Sequence, residues 1–385
     1  MAHVDLFDVR SLLSEEELAV LDTVTRFVEK EALPLMPEAF ERGVFPMSLV
    51  PKMAALGVFG ANYDGYGCAG MNSVSYGLMM QALEAGDSGL RSFASVQSAL
   101  TIYPVMEFGS DGQKERWLPD LVAGKKLACF GLTEPDFGSD PNGMLTTATE
   151  TDSGYVLQGT KRWITNGSIA DVAIVWARFQ DRIQGFLVTK GTPGYTTRDI
   201  PHKMSLRASV TSELFLDDCE IPKENRLPGA DSLKAALQCL NQARYGICWG
   251  TVGAAMACYQ EALAYAGSRI VFQRPIGGFQ LVQEKLVDMI TEITKAQLLN
   301  LQLGRLKDRG TMHHAQVSLA KRNNVRIALA VAREARDILG ANGISLEYHT
   351  IRHMLNLESV KTYEGTDSIH TLTVGRHITG LNAFS

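Results

Sequence analysis

Gly154-Tyr155-Val156-Leu157-Gln158-Gly159 is a short run of strand-forming residues between two glycines. Three similar runs follow: Val172-Ala173-Ile174-Val175-Trp176, Gly185-Phe186-Leu187-Val188 and Glu213-Leu214-Phe215-Leu216. Gly, Asp and Pro punctuate them, and no helical period intervenes. The region 127–230 therefore reads as an antiparallel β domain and not as a βαβ array. No GxGxxG follows a strand, so a Rossmann dinucleotide site is not supported.

On both sides the period changes to that of a helix. Toward the N-terminus, residues 1–126 read as a helical domain. Ser14 with Glu17 forms a capping box ahead of Leu18, Leu21, Val24 and Phe27. Met47 to Leu56 is a second helix ending at Gly57, and Gly60 to Gly70 is a turn-rich link. Val74 to Leu83 and Ser92 to Phe108 are largely apolar helices, the first closing at Gly86. Ser110 with Gln113 caps the helix that carries Trp117. Toward the C-terminus, residues 231–385 hold long helices at Leu233–Ala266, Leu281–Leu306 and Ala315–Leu339, which predict a four-helix bundle prone to oligomerise. The class is α+β, mainly α.

The chain has 385 residues, too many for one ordinary core. With 45% hydrophobic and 21% charged residues it has the composition of a globular protein. A net charge of -5 without a basic run argues against nucleic acid. Tyr245 to Gln260 is too short and Gly-rich to cross a bilayer. Met1-Ala2-His3-Val4-Asp5 lacks the basic and apolar regions of a signal peptide. Six cysteines without a CxxC pair, and eight histidines without an HExxH, indicate neither disulfides nor a metal. Reduced thiols point to a cytoplasmic compartment.

Thr362-Tyr363-Glu364-Gly365-Thr366 lies between two helix-like stretches, His349–Glu358 and Ser368–Arg376. A carboxylate followed by Gly marks a bend that can project the acid into a cavity. The structural alternative is a turn glutamate placed for the next helix's dipole. Gly131-Leu132-Thr133-Glu134-Pro135-Asp136-Phe137-Gly138-Ser139-Asp140 is a loop with hydroxyls at both ends. Further on comes Lys161-Arg162-Trp163-Ile164-Thr165-Asn166-Gly167. Each alone is ordinary, a turn and a core Trp. Together they offer an aromatic wall with a polar rim, which suits a large planar ring.

The TEPxxGSDP loop, the WITN strand, the ARYG helix, the LGxNG turn and the YEGT segment occur in the order found in acyl-CoA dehydrogenases. The chain resembles that family from about residue 14 to its end. Leu90–Ser98, Cys129–Pro135, Cys239–Ile247, Lys321–Asn324 and Asn356–Glu358 are most similar to the glutaryl-CoA-oxidising branch. The resemblance implies an N-terminal helical domain, a middle β domain and a C-terminal four-helix bundle, assembled as a homotetramer around FAD. Phe130, Leu132, Thr133, Ser139, Trp163 and Thr165 would hold the flavin. Arg269, Phe272, Asp337, Leu339, Gly340 and Ala341 would grip the adenine-diphosphate end, partly across subunits. Thr366 would complete the pocket. Ser139, Asn241 and Arg244 would face the CoA portion.

The resemblance also makes Glu364 the base for the thioester α-proton. Its backbone N–H, with a flavin ribityl hydroxyl, would meet the enolate, while the β-hydride passes to flavin N5. An electron-transferring flavoprotein would reoxidise the flavin. Arg91 sits in an apolar stretch, where an unpaired charge is costly. Its structural reading is an ion pair with Glu84 or Asp87. Its functional reading, with Ser95 one turn on, is recognition of a second carboxylate. In decarboxylating relatives a Tyr before the base and a Glu upstream of the Arg form a network. Tyr363 and Glu84 occupy those places, which implies conversion of glutaryl-CoA to crotonyl-CoA and CO2.

The chain departs from the pattern at Val271, at Asp367-Ser368 and at Leu90, where a polar residue, a His-Asp pair and a Tyr are usual. The first two touch the expected FAD site, the third the acyl pocket. Alternatives are a butyryl-type or branched short-chain enzyme with a structural Arg91, a flavin oxidase, and a non-catalytic flavin-binding scaffold.

Overall fold

The computed structural model describes residues 5–384. Met1 to Val4, read above for a targeting signal, lie outside them. Seven helices come first: α1 (Glu15–Phe27), α2 (Met36–Arg42), α3 (Val50–Ala55), α4 (Ser73–Gly86), α5 (Ser88–Ser95), α6 (Tyr103–Phe108) and α7 (Asp111–Val122). Both capping boxes form, at Ser14/Glu17 and Ser110/Gln113. Glu17 does more than cap. Its buried carboxylate also receives Asn72 Nδ2 at 3.0 Å and Arg305 Nη2 at 2.8 Å.

The segment expected as one helix from Ser92 starts earlier, because Asp87 caps it by accepting the Gly89 N–H at 2.6 Å. It then widens into a π-helical stretch over Val96–Ile102, just before Pro104. Proline offers no N–H to close the α-helical ladder, and a wider turn accommodates the gap.

Seven strands follow: β1 (Ala128–Gly131), β2 (Thr147–Glu150), β3 (Gly154–Thr165), β4 (Val172–Phe179), β5 (Arg182–Thr189), β6 (Tyr195–Asp199) and β7 (Thr211–Pro222). They make one sheet in the order β1-β4-β2-β3-β7-β6, with β5 paired to β4. The pairing is antiparallel except where β4 meets β1 and β2. One side of the sheet packs on the N-terminal helices. The other closes over its own core of Leu157, Val175, Phe186 and Leu214.

The C-terminal helices are α8 (Leu233–Ser268), α9 (Gln280–Asp308), α10 (His314–Ile338), α11 (Thr350–Thr362) and α12 (Asp367–Thr379). α8 to α11 form the bundle and α12 lies along α10. α8 serves two cores: Tyr245 and Trp249 face the N-terminal helices, Ile247 and Val252 the bundle. α4 can approach it closely because α8 presents glycines. A Cβ on Gly253 would stand 1.9 Å from the Gln81 carbonyl oxygen.

A buried carboxylate joins the domains. Asp87, besides capping α5, accepts Arg352 Nη1 at 2.5 Å and Asn356 Nδ2 at 3.0 Å from α11. Asn356 Oδ1 in turn receives the Leu206 N–H at 2.8 Å from the β6–β7 connection. Among the described residues no helix is long and apolar enough to cross a membrane.

Candidate active site

The turn between α11 and α12 has an unusual backbone. Glu364 takes φ 51° and Gly365 φ 92°. A left-handed glutamate costs on the order of 1–3 kcal/mol and persists only where its surroundings impose it. Three hydrogen-bonded carbonyls do so. Lys321 Nζ donates to the carbonyls of Tyr363 and Gly365, the latter at 2.7 Å. Arg244 Nε donates to the Glu364 carbonyl at 2.7 Å. Thr366 then caps α12 by accepting the Ile369 N–H at 3.2 Å. A side chain on Gly365 would meet the His370 ring at 2.9 Å, so this position admits little else.

Glu364 as a residue is half-buried, but its Oε2 is closed off from water and has no hydrogen-bond partner. Desolvation pushes its pKa up. Arg91, Lys321 and Arg244 pull the other way, Glu84 adds to the rise, and the net shift is upward. A carboxyl held this way suits proton abstraction near neutrality.

Arg91 is fully buried beside it. Its Nε donates to Glu84 Oε2 at 2.6 Å, and its Nη2 donates to the Tyr363 hydroxyl. Glu84 also takes the Ser88 hydroxyl at 2.8 Å. Asp87, the other partner considered for Arg91, is committed to Arg352. Arg91 Nη1 and the Ser95 hydroxyl are buried with no partner. Two donors so placed await an acceptor, because an unpaired buried polar atom costs about 1–3 kcal/mol. Burial pushes Tyr363 up, as it does Tyr76, whose hydroxyl faces that of Ser95. Lys321 is pushed down to about 7 by desolvation, against the pull of Glu364.

The second wall comes from the β domain. Arg162 N donates to the Thr133 carbonyl at 2.8 Å, tying the 131–140 loop to β3. Beneath it Lys161 Nζ, fully buried, reaches Glu134 Oε1 at 2.8 Å and the Leu132 carbonyl at 3.1 Å. Glu134 also receives the N–H groups of Leu145 and Thr146. Burial alone would raise the Glu134 carboxyl. Lys161 and these N–H bonds outweigh it and hold the pKa below the usual range. A register shift between Lys161 and Ile164 turns Trp163 outward with φ 62°. Trp163 is 54% exposed. Phe130 and Leu132 are buried, and Thr133 and Thr165 are half-buried.

A third group lies at the bundle end. Phe272 and Gln273, at φ 49° and 66°, form the tip of a hairpin between Ile270–Val271 and Arg274–Pro275. Phe272 is 86% exposed. Arg269 and Ala341 are exposed too, whereas Leu339 is buried and Gly340 bends the chain at φ 60°. Asp337 is paired with Lys285 at 2.5 Å. Ser139 sits on the exposed loop, and Asn241 Oδ1 accepts Arg244 Nη1 at 3.3 Å.

The structure thus brings Glu84, Arg91, Tyr363, Glu364 and Arg244 into one network, with Ser95 at its edge. The sequence reading missed Lys321, Tyr76 and the Lys161–Glu134 pair as site residues. Lys321 carried a signal. It falls on the same helical stripe as Val317, Asn324 and Ala328, all buried.

The residues fit FAD. Two aromatic side chains are held outward in left-handed conformations, Trp163 and Phe272. Strain and exposed aromatic surface together mark a place meant for a flat partner.

Family models of the acyl-CoA dehydrogenase N-terminal, middle and C-terminal domains match residues 14–125, 129–219 and 233–379. A glutaryl-CoA dehydrogenase crystal structure from Mycobacterium smegmatis is 54% identical, with 99% of each chain covered and a TM-score of 0.98. A glutaryl-CoA dehydrogenase from Mycobacterium smegmatis in complex with FADH2 is 50% identical over 100% of both chains, again at 0.98. The short-chain specific acyl-CoA dehydrogenase of human mitochondria is 33% identical over 374 residues, 95% of this chain and 90% of that one. The chain therefore belongs to the acyl-CoA dehydrogenase family, oxidoreductases of acyl thioesters, and its cofactor is FAD.

Proposed function

We propose that the protein oxidises glutaryl-CoA at its α,β-bond and decarboxylates the product to crotonyl-CoA and CO2. The observation that carries the reading is Arg91: fully buried, charged, and left with a free Nη1 beside the unbonded Ser95 hydroxyl. A distal carboxylate would take both donors. Charge balance supports this. Around Glu364 the cations Arg91, Arg244 and, when protonated, Lys321 stand against Glu84 and Glu364 itself. With Lys321 protonated, a substrate carboxylate would remove the excess positive charge.

Glu364 takes the α-proton. Its raised pKa matches the task, and its backbone N–H meets the enolate oxygen. FAD, when bound, accepts the β-hydride. Phe130, Leu132, Thr133, Ser139, Trp163, Thr165 and Thr366 position its ring end, and Arg269, Phe272, Asp337, Leu339, Gly340 and Ala341 the other. Ser139, Asn241 and Arg244 bind the CoA portion. Arg91, held by Glu84 and Tyr363, binds the γ-carboxylate. When its C–C bond breaks, CO2 leaves and the electron pair passes into a dienolate conjugated with the thioester. The now protonated Glu364 returns a proton to the γ-carbon to give crotonyl-CoA. An electron-transferring flavoprotein as acceptor, a homotetramer and a cytoplasmic location belong to the same proposal. Exposed Phe272, Leu281 and Ile344 on the bundle support the assembly.

A second reading has one observation in its favour. Glu84 already neutralises Arg91 within the protein, as a purely structural pair would. The enzyme would then oxidise a plain short acyl group, as the human relative's name describes for that protein. Anaerobic addition of glutaryl-CoA or butyryl-CoA to the flavoprotein separates the two. Faster bleaching of the flavin band by glutaryl-CoA, with crotonyl-CoA formed, is expected. Bleaching by butyryl-CoA alone would return Arg91 to a structural role. Glutaconyl-CoA as the end product would sink the decarboxylation.

A further inference from the structure

We infer that Lys321 is a positioning residue for the base: it clamps the carbonyls on either side of Glu364 and so fixes the direction and acidity of that carboxyl. The inference rests on Glu364 being the base.

Three consecutive carbonyls, those of Tyr363, Glu364 and Gly365, each accept from a cationic side chain. Lys321 takes the outer two and Arg244 the middle one. Alternating partners on successive peptides oppose rotation of either peptide plane. This is what a left-handed glutamate requires, since its Cβ disfavours that conformation, whereas Gly365 adopts its own positive φ freely. Lys321 is fully buried on α10, and among the described residues its ammonium donates to these two carbonyls. Burying an ammonium for backbone acceptors alone is expensive unless the geometry it holds is useful.

The clamp also acts through space. Glu364 is faced by Arg91 from α5, Lys321 from α10, Arg244 from α8 and Glu84 from α4. His370 of α12 is kept neutral, pushed down to about 3 by burial and by the same Lys321 and Arg244. Tyr363, Tyr76 and the Cys248 thiol, all raised by burial, add no charge at neutral pH. Lys321 is thus one of three cations restraining the upward drift of the Glu364 pKa.

The test uses the flavin-loaded enzyme with Lys321→Met, Lys321→Gln and Lys321→Arg. Gln keeps two N–H donors without the charge, and Arg keeps the charge. The readouts are the pH profile of anaerobic flavin reduction and the proton uptake on binding a CoA thioester, by calorimetry in two buffers. Lys321→Met is expected to slow reduction at pH 7 about 100-fold and move the rising limb up by about one pH unit. Lys321→Gln should recover much of the rate but keep the displaced limb. Lys321→Arg should restore the limb more than the rate. A wild-type limb in Met and Gln variants that retain flavin would overturn the inference. So would loss of folded flavoprotein in all three, which would make Lys321 a folding residue only. Glu364→Gln is the separate control: if it still reduces the flavin, the base assignment fails and not the clamp.

Discussion

Gly250 of α8 faces Glu84 of α4 so closely that a Cβ on it would lie 2.0 Å from the Glu84 Oε2 and 3.1 Å from the Arg91 Cγ. Glu84 cannot simply swing aside, because Ser88 and Arg91 hold both its oxygens. Gly250→Ala should therefore break the Arg91–Glu84 pair without touching a charged residue. We expect a stability loss of about 1–3 kcal/mol in thermal unfolding and at least a tenfold fall in glutaryl-CoA turnover. Butyryl-CoA turnover should fall less. Equal losses on both substrates would show that the pair does not discriminate between acyl groups.

The Tyr363 hydroxyl is the second anchor of the Arg91 side chain, beside Glu84. Tyr363→Phe removes that oxygen and little volume. The fold should lose only about 1–2 kcal/mol. The partition after oxidation should move from crotonyl-CoA toward glutaconyl-CoA, read by mass spectrometry of the acyl products. An unchanged product ratio would exclude Tyr363 from the decarboxylation step.

Trp163 combines a left-handed backbone with an exposed indole. Trp163→Gly relieves the strain and removes the ring. The flavin-free protein should be no less stable, gaining up to about 1 kcal/mol, while FAD affinity drops about tenfold or more. Fluorescence titration with FAD and unfolding of the stripped protein measure the two separately. A weaker apoprotein with unchanged FAD affinity would mean that the ring serves the sheet.

Two buried histidines set an acid limit. His353 is pushed well below its ordinary value by burial beside Arg352, and His370 to about 3 by burial beside Lys321 and Arg244. Both stay neutral in the folded state while an unfolded chain protonates them near 6.5. The unfolded state thus binds more protons below that value, and stability falls as pH drops from about 6.5 toward 3. Two such groups give a slope of roughly 2–3 kcal/mol per pH unit. Denaturant titrations at pH 7 and pH 5 should show the loss, and His353→Gln should flatten it.

Much of this was legible in the sequence, for identifiable reasons. The strands β3, β4, β5 and β7 carry enough apolar residues between turn signals to be read directly. β1 is four buried residues and β6 is mostly polar, so neither announces itself; each exists because a longer neighbour offers it an edge. Glu364 was visible through its glycine, and Arg91 through its apolar surroundings. Lys321 was overlooked although it lies on the buried stripe of α10, because a lysine on an amphipathic helix is ordinarily read as solvated. Only the arrival of the α11–α12 turn over α10 gives it two carbonyls to bind. Gly250 was equally silent: a helical glycine has meaning only once the helix it faces is known.

The Asp87 joint bears on how the protein is made. A ribosome exposes this carboxylate long before the Arg352 that will seal it, 265 residues later. Arg91 waits as long for Tyr363, 272 residues away. Until α11 emerges, the N-terminal helices carry hydrated charges where the finished molecule is dry, and their apolar faces lack the helices that cover them. Nascent chains are then dependent on protection from aggregation until nearly all of the sequence has been translated. The same late segment delivers Glu364, so a partly synthesised chain lacks the proposed base.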